Sequence, residues 1–65
     1  MKIIVLHDRY NNETVVVRPD AINMIRKVED KGEEFSNILG EGFAFDVKET
    51  IGDVMRKIKK AESEE

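Results

Sequence analysis

The sequence predicts an α+β domain, a small antiparallel β-meander of about four or five strands followed by one C-terminal amphipathic helix. Three observations predict it. β-Branched runs at Ile3-Ile4-Val5 and Val15-Val16-Val17 flank a turn, Phe43 to Lys48 alternates apolar and polar residues, and Thr50 opens an apolar stripe at helical spacing. At 65 residues the chain has room for a single domain, residues 1–65.

Ile3 to His7 reads as the first strand. Asp8-Arg9-Tyr10-Asn11-Asn12 is a turn, because Asp and Asn tolerate left-handed backbone. Glu13 to Arg18 is the second strand, and Pro19 ends it by lacking an N–H for a ladder. Pro19 to Gly32 supports two readings. As a helix, Asp20 caps it, Ile22, Ile25 and Val28 recur at threefold spacing, and Gly32 ends it. As a strand, Ile22, Met24 and Val28 alternate with polar positions, interrupted at Ile25 and Arg26. Local pattern slightly favours the helix.

Glu34 to Leu39 alternates imperfectly, and Gly40-Glu41-Gly42 reads as a tight turn using positive φ. In Phe43 to Lys48, Phe43, Phe45 and Val47 share one face. Thr50-Ile51-Gly52-Asp53 has the capping-box pattern, with Asp in place of the usual Glu. Ile51, Val54, Met55 and Ile58 form the apolar stripe of the helix. Residues 61–65, which include Glu62-Ser63-Glu64-Glu65, read as a frayed polar tail.

Composition narrows the chemistry. Without Cys there is no disulfide or thiolate metal site, and one His cannot build an imidazole zinc site. No cofactor is expected. A net charge of −3 and a pI near 5.2 argue against the basic footprint of a nucleic-acid binder and against an anionic membrane surface. The N-terminal run Ile3-Ile4-Val5-Leu6 is too short for a signal-peptide core or a membrane span. The expectation is a cytoplasmic protein without membrane insertion, in which Asn12-Glu13-Thr14 matches the glycosylation pattern by chance.

The order of signals resembles the small flagellar and swarming-motility proteins of the FlbD type. The residues that carry the resemblance are Val15-Val16-Val17-Arg18-Pro19-Asp20-Ala21-Ile22, Gly42, and Phe43-Ala44-Phe45-Asp46-Val47-Lys48-Glu49-Thr50, followed by the helix with Val54, Met55 and Ile58. The match runs roughly from Lys2 to Lys60. The resemblance implies a meander followed by a helix, in a non-enzymatic cytoplasmic accessory protein. It also moves Ile22 to Val28 from helix to strand, after one helical turn at Asp20.

No constellation reads as a catalytic site. His7 and Asp8 are adjacent strand residues facing opposite sides, a solvated pair at a strand end. Asp46, Glu49 and Asp53 lack the further oxygen ligands that calcium requires. Arg56, Lys57, Lys59 and Lys60 form a basic patch that suits either nucleic acid or the negative end of the helix dipole. No aromatic platform interleaves the patch, so a nucleic-acid partner is not expected. Gly40-Glu41-Gly42 lies between strands and makes no phosphate loop, and Phe35, Phe43 and Phe45 read as core. A non-catalytic interaction or accessory protein is the leading expectation. A small DNA- or RNA-binding regulator using the basic patch, or a phage or mobile-element structural module, is the alternative.

Self-association follows from the hairpin. Ile3 and Val5 share one face of the first strand, and Ile4 and Leu6 share the other. Val15 and Val17 likewise oppose Val16 on the second. Strands apolar on both faces need cover on both, and one helix covers one face. The expected partner is a second copy, most simply in a two-fold dimer, with Ile4, Leu6 and Val16 as partner-facing candidates and the choice of face open.

Overall fold

The computed structural model of the protein describes residues 2–63. The β-branched runs near the N-terminus form an antiparallel hairpin. In it β1 (Ile4–His7) pairs with β2 (Thr14–Val17), placing Ile4 opposite Val17, Val5 opposite Val16 and Leu6 opposite Val15. The connecting loop is held by its own side chains. Asp8 Oδ1 accepts the N–H groups of Tyr10 and Asn11, Asn11 Oδ1 accepts that of Glu13, and Asn12 adopts a φ of 61°. These are the local bonds that make Asp and Asn turn residues.

Pro19–Ala21 forms one 3₁₀ turn, after which β3 (Ile22–Asp30), β4 (Glu33–Gly40) and β5 (Phe43–Val47) make an antiparallel meander. The contested segment is therefore a strand. Lys31 and Gly32 close the first turn of the meander with φ of 53° and 81°. At the second turn only Gly42, with a φ of 84°, uses the left-handed freedom of glycine. Gly40 belongs to β4 and is needed for another reason, the closeness of the Phe43 ring and the Ala21 carbonyl.

The hairpin and the meander meet at one corner. Asp8 bridges Val47, Lys48 N–H donates to His7 O at 2.8 Å, and Arg9 N–H donates to Asp46 O at 2.8 Å. Their inner faces enclose one core of Ile4, Leu6, Val17, Ile38, Val47 and Val54, bordered by Ile22, Ile25, Phe43 and Phe45. Ser36 is fully buried with its hydroxyl unpaired among the described residues, a local cost of about 1–3 kcal/mol.

Helix α1 (Ile51–Ser63) lies across this core. Thr50 Oγ1 accepts the Asp53 N–H at 3.3 Å, the first half of the expected capping box. The Asp53 carboxylate turns to Arg56 instead, with Nη1 to Oδ1 at 2.9 Å. The stripe differs from the sequence reading. Met55 is half exposed, and Ala61 packs against the core with Val54 and Ile58. That packing carries the helix through Ala61, Glu62 and Ser63, past the start of the expected frayed tail. Glu64 and Glu65 lie outside the described residues.

Candidate functional site

The two faces of the hairpin have opposite fates. Ile4 is 3% exposed and Leu6 is 0% exposed, because their row of β1 faces Ile38, Val47 and Val54. They are core residues, which corrects their candidacy as partner-facing positions. Val16 keeps that candidacy at 57% exposed, and its neighbours on the outer face are Ile3 at 47% and Val5 at 39%. Val5 lies directly opposite Val16 in the register, so these side chains form one apolar strip. A groove of about 310 Å³ runs beside the same strand, lined by Val15, Val17, Ala21, Phe43 and Phe45 among others. The two phenyl centroids in its wall are 5.7 Å apart.

The basic patch is divided among separate tasks. Arg56 bonds Asp53, and the Asp53 carboxyl is held below its ordinary range by that bond and by the Thr50 hydroxyl. Lys57 Nζ donates to Val5 O at 2.7 Å and lies 4.0 Å from Glu49 Oε2. Lys59 and Lys60 remain exposed. Two of the four cations, Arg56 and Lys57, are thus engaged with partners within the fold.

Glu49 and Lys57 instead clip α1 to the strand edge that β2 leaves open. Glu49 Oε1 accepts the His7 N–H at 3.0 Å, while Oε2 lies 2.7 Å from His7 Nδ1. The Glu49 side chain is only 12% exposed. Burial pushes its carboxyl pKa up, but the ring and backbone hydrogen bonds from His7 outweigh this and leave it below the ordinary glutamate range. A carboxyl with a depressed folded-state pKa contributes stability at neutral pH that is lost as pH falls through that pKa. The stability difference between the wild type and Glu49→Gln is expected to shrink from about pH 5 toward about pH 3. Urea titrations across that range measure it, and a difference constant in pH would count against the clip. Sequence reading missed this pair because the partners lie 42 positions apart and no local spacing links them.

The other candidates separate. Asp46 accepts from Tyr10 Oη at 2.7 Å and from Asn37 Nδ2 at 2.8 Å, and Asn37 Oδ1 in turn accepts from Arg26. The Asp46 bond raises the Tyr10 pKa, since ionisation would lose it. Asp46, Glu49 and Asp53 thus serve three different partners. Among the described residues no group of three or more His, Asp or Glu side chains gathers to hold a metal ion. The Arg9 guanidinium lies 4.1 Å from the Phe35 ring centroid and 3.5 Å from Glu33.

Compared with family models, curated proteins and solved structures, the chain matches none. Among the described residues no helix is long and apolar enough to cross a membrane. What remains chemically distinctive is the apolar strip Ile3–Val5–Val16 beside an open strand edge.

Proposed function

We propose that the protein is a non-catalytic interaction protein, a cytoplasmic accessory factor of the FlbD-type motility kind, that works by presenting the outer face of its hairpin. The observation that carries this reading is the exposure of Ile3, Val5 and Val16 together on one face. Contiguous exposed apolar residues on a small domain mark contact surfaces. The basic patch supports a nucleic-acid role less well, since Arg56 and Lys57 are engaged within the fold.

Deletion and complementation in the native host test the proposal. Loss of the gene is expected to reduce swarming, and the wild-type gene to restore it. Val5→Lys, which changes only an outward side chain, is expected to fold and yet fail to restore it. Unchanged motility after deletion would remove the motility assignment. Full complementation by Val5→Lys would remove the face as the working surface.

A further inference from the structure

The ladder fixes where the backbone of the hairpin points. Opposed residues of an antiparallel pair alternate between exchanging both backbone bonds and exchanging none. Asp8 N–H donates to Glu13 O at 2.9 Å, and Leu6–Val15 and Ile4–Val17 follow at steps of two in the same register. Those pairs are the bonded ones. Val5 and His7 accordingly turn their backbone groups to the other edge of β1, where Lys57, Glu49 and Lys48 meet them. By the same parity Thr14 and Val16 turn their N–H and C=O groups to the outer edge of β2. No strand pairs with that edge among the described residues.

The outer edges of β2 and β3 are protected unequally. Proteins blunt an edge with charges, prolines or irregularities. The outer strand of the meander, β3, carries Arg26, Lys27, Glu29 and Asp30, and its register shifts between Ile22 and Met24. β2 presents Thr14-Val15-Val16-Val17 with no charge at all.

We propose that two copies of the protein pair through this β2 edge, antiparallel, about a two-fold axis between their Val16 residues. The proposal deepens the reading of the hairpin face as an interaction surface and rests on it. With the axis normal to the sheet, the outer faces stay on one side and Thr14 of each copy stands opposite Arg18 of the other. The Val16 residues exchange both backbone bonds. Arg18 O already accepts the Ala21 N–H at 3.0 Å, so Arg18 contributes its N–H, which meets the Thr14 carbonyl. Pro19 has the parity of Val15 and Val17, so its missing N–H is not needed at this edge.

The apolar strips of the two copies become continuous in the order Val5, Val16, Val16, Val5. Charge permits the pairing. The segment Thr14–Val17 holds no acidic residue, and the two Arg18 residues stand roughly 13 Å apart along the strands, beyond the screening length of about 8 Å. A short edge with few flanking apolar residues belongs to the small interfaces, below about 1,200 Å² in total. The dissociation constant is expected at about the micromolar level.

Analytical ultracentrifugation and hydrogen exchange across a concentration series test the pairing in the intact protein. A reversible dimer is expected, with protection of the Val16 and Arg18 amides rising at least ~10-fold from dilute to concentrated solution. Val16→Lys should raise the dissociation constant at least ~30-fold while circular dichroism and thermal unfolding stay native. Met24→Lys, on the charged edge, should leave assembly unchanged. A monomer at every concentration overturns the pairing and leaves the edge to a different protein. A dimer whose Val16 amide stays unprotected, or which ignores Val16→Lys, overturns it too, while the host phenotype of Val5→Lys still decides the broader function.

Discussion

Ile4→Lys is expected to leave the chain unfolded at neutral pH, and Val16→Lys to leave it folded. Both positions belong to the same apolar hairpin, and both are β-branched residues in paired strands. The difference is the face. Ile4 is 3% exposed against Leu6, Val17, Ile38, Val47 and Val54, whereas Val16 is 57% exposed. Replacing Ile4 loses about 1.5–3 kcal/mol of side-chain burial, and an unpaired ammonium in the core adds several kcal/mol more. Domain stabilities run from about 5 to 15 kcal/mol, with chains this short at the low end. The sum is enough to remove the folded state. At Val16 the ammonium stays in water, and the bonded pairs of the hairpin, Ile4–Val17 and Leu6–Val15, are untouched. Circular dichroism with thermal melting reads the contrast directly. An Ile4→Lys variant that melts within a few degrees of wild type would mean the inner and outer faces of the hairpin are assigned the wrong way round.

That assignment marks the limit of what the residues alone reveal. Alternation along β1 and β2 sorts their side chains into two rows, but Val5 and Val16 make the centre of one as apolar as Ile4, Leu6, Val15 and Val17 make the other, and only His7 and Thr14 at the strand ends hint at the outer one. Packing decides it, through Ile38 of β4 and Val54 of α1. Strand β5 was readable because Phe43, Phe45 and Val47 alternate without interruption with the small or polar residues Ala44, Asp46 and Lys48. β3 was not readable by local pattern, and its register explains why. Ile22 lies opposite Gly40 on the inner side. The shift between Ile22 and Met24 then brings Ile25 to the same side, opposite the buried Ile38. Val28 lies opposite Phe35, which alternation along β4 sets on the other face, under the Arg9 guanidinium. A register shift and a change of face thus space three half-buried residues by three, which imitates a helical stripe. The polar clip of His7, Glu49 and Lys57 joins segments far apart in the chain, so it became visible only once α1 was docked.

Gly40→Ala is expected to destabilise the protein by about 3–5 kcal/mol, although the residue sits in a strand where alanine is ordinarily harmless. A Cβ built on Gly40 would fall within the ring of Phe43, its cross-strand neighbour, and 2.6 Å from the carbonyl oxygen of Ala21. The ring is the end of a rotatable side chain, but moving it takes Phe43 away from the core border it helps to form. The carbonyl belongs to the 3₁₀ turn of Pro19–Ala21, which links β2 to β3 and has no rotamer through which to yield. Overpacking of this kind costs about 1–3 kcal/mol, and losing the burial of Phe43 adds about 1.5–3 kcal/mol. Urea unfolding should show a lower midpoint with an unchanged slope, the signature of lost stability rather than a changed unfolded state. Phe43→Ala supplies the control. It removes the ring that the new methyl would strike, so Gly40→Ala should cost clearly less in that background than in the wild type, the coupling expected of residues in direct contact. Only the clash with the Ala21 carbonyl would then remain. A Gly40→Ala variant within about 0.5 kcal/mol of wild type would show that the 3₁₀ turn and the Phe43 ring do not close over the end of β4 as described.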